Sequence, residues 1–448
     1  MIAPSSYGAL SATSANTIQG SRPGFTGQSG AKKLGFKVGN ITYSEANDVY
    51  DSLTNPDKDK IISGVRKDFN GSLKLSDFVV TGLTANDFSP TTDYYDADGD
   101  AGYPTAADTF SMGSVIYNWY ENGKDPDNDA PISVTNQTLG CGSGLSLPLT
   151  LKITLPNVKV KSRYGNPRES IPTPLIQKYK IGTATGICFA KPNQMIVDYG
   201  HTWLGTNGSN LFWNNASYKN RHPTSGGGYD SNQFDPVNGF KASLSTKFPT
   251  TGFPKASFTL IMTSNARDYT FSVLKPDGSL LTDGSVIVDT TGKVTLNSKP
   301  IGAVTIQAIY KNDTSQVHSY TFNPTSVWVV PKGTTRMNYA SAKSACGVES
   351  KIPSRAELTN SPAKTGYEGA SSMPVNAFTR AVGGGVFGEW GWIGGTSGTY
   401  PGSQWNSGWN WYWTRDPYTS GRQFRVASTN GYVDWGYPGI SNSVACLE

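Results

Sequence analysis

Cys346 and Cys446 bracket a stretch that takes in most of the chain's tryptophans: eight of the eleven fall between Trp328 and Trp435. Inside the bracket run GEWGWIGG (388–395) and SQWNSGWNWYW (403–413), aromatic text spaced by glycine, serine and asparagine. Large aromatics at this density fill a core or line a binding surface. A closing bridge would tie a loop of about 100 residues, worth on the order of 4–5 kcal/mol in chain entropy. The stretch therefore reads as a compact recognition head presented by what precedes it.

The four cysteines, at 141, 188, 346 and 446, include no C-x-x-C and have no histidine nearby in sequence. Zinc and redox motifs are absent, and structural bridges in an oxidising compartment are the expectation. Nearest-neighbour pairing would join Cys141 to Cys188 and Cys346 to Cys446, although sequence alone allows two other pairings.

With 448 residues the chain exceeds one ordinary core. Charged residues make up 16%, glycine is abundant and aromatics reach 12%, a profile of short strands joined by turns. The net charge of +5 is spread thinly, with no Lys/Arg run to track a phosphate backbone, so nucleic acid is not an expected partner. The start, Met1-Ile-Ala-Pro, lacks a signal peptide's basic and apolar regions, and no stretch approaches a membrane helix. The chain reads as part of a longer exported protein whose signal and membrane anchor lie upstream.

Residues 1–30 read as a linker. A helix is expected from Ser44, with Ala46, Val49, Tyr50 and Leu53 as its apolar stripe, stopped at Asn55-Pro56 and resuming around 60–65. Strands are expected over 73–83, 114–120, 147–155 and 195–200, making 31–255 one large, mainly β domain with a small helical insert. From 256 to 325 the alternation tightens into strands over 257–264, 269–274, 285–296, 303–310 and 318–322. Asp277-Gly278, Asp283-Gly284 and Thr291-Gly292 mark hairpins, and the whole predicts an Ig-like sandwich. The third domain, 326–448, opens with a helix over 337–346. A capping box, Ser354 with Glu357, then starts a second helix.

The order of a Cys-ending helix, KIPSRAEL, a WGWIGG strand, a WYWT strand and the terminal VACLE resembles the C-type-lectin-like head of the intimin/invasin family of bacterial surface adhesins. GKVTLNSKPIGAVTIQA (292–308) resembles the Ig-like repeats that carry that head. YYDADGDAGYP (94–104) and IYNWYENGK (116–124) resemble the adhesion domain of invasin E-like proteins. The resemblance implies a mainly β, multidomain fold: a sandwich-like first domain, an Ig-like domain and a lectin-like α+β head. It implies pairing of Cys346 with Cys446. It also implies an outer-membrane adhesin that binds a protein, glycoprotein or glycan on a host cell, as a monomer in this fragment. Some relatives engage integrins through an exposed aspartate; this head holds Asp416 and Asp434.

Calcium lectins need an EPN or QPD loop and a WND strand, because carboxylates and amides must hold ion and sugar together. None is present, and Trp409-Asn410-Trp411 places tryptophan where aspartate is needed. Asp96, Asp98 and Asp100 have the opening spacing of a calcium loop but lack its glycine and closing glutamate. A polar turn competes there with a weak calcium site, and Asp125–Asp129 repeats the spacing around a proline. Gly383-x-Gly385-x-x-Gly388 lies in a glycine-rich loop with no helix expected to begin at its end and reads as chance, and no further cofactor is implied.

Trp409, Trp411 and Trp413 alternate and would face the core together. That assigns the binding face to Trp405, Asn406, Asn410 and Tyr412, rimmed by Arg415, Asp416, Arg422 and Arg425. Adhesion without catalysis is the expectation. A calcium-independent carbohydrate module, of an enzyme or otherwise, and a phage receptor-binding tip are the alternatives.

Overall fold

The computed structural model describes residues 20–46, 61–99, 102–133, 136–195, 227–362, 377–393, 399–408, 410–419 and 421–448. The chain divides into two compact units. The first comprises Met1–Phe69, Leu73–Gln137 and Leu147–Thr183, the second Asn70–Ser72, Thr138–Ser146 and Ala184–Glu448.

The first unit is built on a long antiparallel pair, Leu149–Val160 with Thr173–Gly182. Leu149, Leu151, Ile153 and Leu155 alternate with polar residues, so one face is wholly buried. Ile116–Tyr120 adds antiparallel on one side, and Arg66–Asp68 adds parallel on the other. A second sheet orders Ile41–Ser44, Gly35–Val38 and Val79–Thr81. Phe36 centres the core, 5.4–5.9 Å from the rings of Tyr43, Phe69, Phe78 and Tyr179. Tyr179 donates to the carbonyl of Leu34 (2.6 Å) and accepts from the amide of Glu45 (3.0 Å); burial pushes its pKa up to about 12.

Two local expectations change here. The stretch 73–83 is not one strand: the Asp77 carboxylate takes the Lys74 amide (2.8 Å), closes a 3-10 turn at Leu75–Asp77 and leaves only Val79–Thr81 extended. Residues 61–65 form a turn rather than a helix, and Ser44 ends a strand. The rest of the expected insert helix lies outside the described residues, as does most of the expected strand at 195–200.

The second unit opens with a sandwich. Its larger sheet orders Phe234–Asp235, Gly239–Lys241, Ile187–Pro192, Ala256–Met262, Lys293–Leu296 and Val286–Val288. Its smaller sheet orders Tyr269–Leu274, Val304–Tyr310 and Val317–Phe322. The expected stretch 285–296 is two strands around a turn in which Gly292 has φ +77°, a conformation costly for other residues. The larger sheet draws strands from 187–241, which the sequence reading assigned to the preceding domain. The physical reason is aromatic: Phe240 stacks on Phe248 (4.5 Å), and Phe248 meets Phe258 (5.4 Å), so residues on both sides of position 255 share one core.

The lectin-like part follows within the same unit. The helix Tyr339–Cys346 forms as expected, capped by Asn338, whose side chain accepts from the Ser341 amide (2.8 Å). The Ser354/Glu357 capping box forms as well. Trp411–Thr419, Arg422–Ala427 and Val433–Gly436 make one sheet; Thr251–Gly252, Val327–Pro331 and Ala445–Leu447 make another. The described part of the WGWIGG segment, 390–393, is not a strand. Trp390 ends a short helix, Gly385–Trp390, and Gly391 leaves it at φ +78°.

Both nearest-neighbour disulfides are present, Cys141–Cys188 and Cys346–Cys446. Sandwich and head are keyed together through Glu389, which is fully buried. Its carboxylate accepts from the amides and hydroxyls of Thr250 and Thr251 and from the Gly383 amide, at 2.7–3.1 Å. Next to it, the Trp390 indole N–H donates to the Thr251 carbonyl (3.1 Å), and its ring packs on Phe248 and Phe253.

Candidate recognition surface

The aromatics expected at the binding face are interior. Tyr412 is 0% exposed, Asn410 4%, Asn406 5% and Trp405 8%. Trp405 packs against Tyr412 (4.9 Å), Phe253 (5.6 Å) and Phe387 (5.7 Å). The Tyr412 hydroxyl accepts from the Asn406 amide (3.0 Å), and the Asn406 side chain donates to the Ser443 hydroxyl (2.6 Å). Asn410 donates to the Ser407 carbonyl (2.6 Å) and accepts from Arg336 (2.9 Å). This corrects the assignment of faces. Alternation does separate Tyr412 from Trp413, but both sides of the strand are covered. Trp413 enters a cluster with Tyr339, Ile352 and Val444, while Tyr412 enters the main core. Trp409 lies outside the described residues.

Arg415 and Asp416 brace the short helix Arg355–Leu358 against the sheet. Arg415 makes a two-pronged ion pair with Glu357 (2.7 and 3.1 Å) and donates to the Ile352 carbonyl (3.0 Å); Asp416 accepts from the Arg355 amide (2.5 Å). Burial works to raise the Glu357 pKa, but Arg415 and Ser354 outweigh it and hold the group below its ordinary value. Arg425 pairs with Asp434 (2.8 Å) and lies 4.4 Å over Trp411.

Arg422 alone of the expected set belongs to an outward cluster, which sequence reasoning missed. Phe424 stands directly opposite Trp435, on the sheet face that buries Tyr412, Val426 and Val433 further in. Register shifts around Pro417 bring Tyr418 onto that same surface. Tyr418 lies parallel to Trp435 (6.0 Å, 9°) and edge-on to Phe424 (5.1 Å). The Arg422 guanidinium sits 3.9 Å over Trp435 and 5.3 Å from Tyr437, while Arg355 lies 5.1 Å over Phe424. Tyr437 is 54% exposed. A shallow groove of about 570 Å³ adjoins, lined by Pro417, Tyr418, Arg422, Gln423, Tyr339 and Pro438. Rings held rigid by stacking, with guanidinium groups on their faces, offer large contact area at small entropic cost, which is the composition of protein-binding hot spots. A signal was present in the sequence: Phe424 and Trp435 are aromatics on paired strands. Their pairing, however, is a tertiary fact.

The aspartate runs serve their own turns. Asp96 accepts from the Asp98 amide (3.0 Å) and the Tyr94 hydroxyl (3.3 Å), and Asp98 accepts from the Ser21 hydroxyl (3.1 Å); Asp100 lies outside the described residues. Asp125 accepts from the Asp127 amide (2.9 Å). Asp127 is held by Lys152 (2.8 Å) and Lys178 (2.7 Å), which bring its pKa down to about 2. Among the described residues no group of three or more metal-binding side chains gathers. In the glycine run, a helix begins at Gly385 but spans six residues, and the Gly383 amide is taken by Glu389.

Residues 232–322 match the family described as invasin, domain 4. The match runs from the first edge strand of the sandwich, Phe234–Asp235, to its last strand, Val317–Phe322. Among solved structures the chain is similar to invasin, titled a bacterial integrin-binding protein, at 18% identity and a TM-score of 0.38, over 79% of this chain and 52% of that one. The chain thus spans about half of the invasin structure. It is also similar to a 282-residue C-terminal fragment of intimin, solved with the intimin-binding domain of the translocated intimin receptor, at 14% identity and a TM-score of 0.34, over 75% of this chain and 100% of that one. A third is the Yersinia pseudotuberculosis adhesin InvE, at 10% identity and a TM-score of 0.16, over 79% and 90%. A comparison with curated proteins finds no match.

Proposed function

We propose that this chain is the receptor-binding part of a bacterial surface adhesin. A region outside this sequence anchors it in the outer membrane, and it holds a protein on a host cell without catalysing a reaction. The observation that carries this reading is the outward cluster of Tyr418, Phe424, Trp435, Tyr437, Arg355 and Arg422. The cluster is rigid, aromatic and cationic, and it adjoins a shallow groove rather than a deep cavity. Such a surface suits a protein partner better than a small molecule, which needs a concave pocket. The invasin domain 4 match supports the adhesin class. Invasin is titled integrin-binding, and intimin was solved with its receptor, so protein partners are the precedent among the similar structures.

The test is binding of the labelled chain to human epithelial cells. Tyr437→Ala and Trp435→Ala should each cost about 2 kcal/mol, roughly a 30-fold loss of affinity, if these are hot-spot residues. Unchanged affinity in both variants, with unchanged melting temperature, would move the binding site elsewhere.

A further inference from the structure

The first unit carries a second candidate surface, independent of the head. The alternation of the strand Leu149–Val160 continues past its end: Val158, Val160 and Ser162 are buried, while Lys159, Lys161 and Arg163 stand on the opposite side. Alternate residues of a strand lie roughly 7 Å apart, so three cations occupy a ridge of about 13 Å. One acid faces them from the returning strand, Glu169, 3.2 Å from Lys159 and 3.9 Å from Lys161. Arg163 instead leans over the Tyr103 ring, 6.0 Å away, and Arg168 is exposed on the return of the same turn. Asp98, on an adjoining segment, is engaged by Ser21. The ridge is flanked by two exposed apolar groups, Tyr164 at the turn (67% exposed) and Ile171 beside Lys159 (64%).

We propose that this hairpin end docks a linear anionic polysaccharide bearing sulfate or carboxylate groups. Cations set in a line along an exposed strand end match charges repeating along a chain. Ammonium and guanidinium groups form charge-assisted hydrogen bonds to such oxygens. The Tyr164 ring offers a flat face on which a sugar can stack, and the two apolar groups favour a ligand with both ionic and ring surfaces. Exposed ion pairs of this kind are screened by salt, so the interaction is salt-sensitive and works by repetition along the polymer.

The experiment passes the full chain over immobilised heparin, with dextran as the neutral control, at about 0.05 and 0.3 M NaCl. Retention on heparin alone, lost at the higher salt, is expected. Lys161→Glu with Arg163→Glu should weaken it at least about tenfold, Glu169→Gln should strengthen it, and Tyr437→Ala in the head should leave it unchanged. Three results would overturn the proposal. One is wild-type retention by a double variant that melts normally. Another is equal binding to dextran. The third is variant-sensitive binding to phosphatidylserine vesicles without binding to heparin, which would make the ridge a membrane contact.

Discussion

Replacing Glu389 by alanine should be the most damaging single change in the second unit. Its carboxylate has five donors around it, three backbone amides and two hydroxyls, and no solvent. The hydroxyls can turn to other acceptors. The amides of Thr250, Thr251 and Gly383 cannot, and each orphaned buried amide costs about 1–3 kcal/mol. Three such amides together put the cost at about 3 kcal/mol or more. Glu389→Gln should not rescue this fully, because its amide would present donors to donors. The assay is calorimetric melting of the full chain. The transition of the second unit should fall in both variants, further in Glu389→Ala, while that of the first unit should hold. A Glu389→Ala variant within about 1 kcal/mol of wild type would refute the claim that this carboxylate keys the sandwich to the head.

Breaking the Cys346–Cys446 bridge by a double alanine substitution should cost up to about 4.7 kcal/mol in the same assay, given the 100 residues it closes. The Glu357 carboxyl is held below its unfolded value near 4.5, so its contribution to stability is present above that pH and is lost as the pH falls through the lowered folded value. Melting temperature followed from pH 6 downward should therefore drop below about pH 4.5, and Glu357→Gln should flatten that drop. Arg380 is fully buried over Phe234 (4.9 Å) and Phe240 (5.6 Å), and its guanidinium makes no hydrogen bond among the described residues; burial brings its pKa down to about 10. Exchanging a buried charge for a similar apolar volume is often neutral or stabilising, so Arg380→Met should melt at or above the wild-type temperature.

Local chemistry was legible in the sequence and tertiary cover was not. The Ser354/Glu357 box, the helix that ends at Cys346 and the glycine at 292 are settled within a few residues, and each took its expected form. The tight strands of 257–322 alternated visibly and fold as a sandwich. Tyr412 shows the limit: alternation sorts side chains onto two faces, yet it cannot say that Trp405 and Phe387 cover the second one. The same limit hid the strands of 187–241 in the sandwich, since their partners lie as far away in sequence as Met262 lies from Ile187. It also hid the outward cluster, where Phe424 and Trp435 meet only through strand pairing. The basic ridge went unseen because its cations are spaced by buried residues, not written as a run.

The measurement that bears most directly on the central claim is photo-crosslinking on human epithelial cells. A benzophenone side chain replaces Tyr437 in one version of the chain and Tyr117, exposed on the first unit, in another. One discrete covalent protein adduct is expected from position 437, absent from position 117 and suppressed by excess unlabelled chain. No adduct from 437, or the same adducts from both positions, would contradict it.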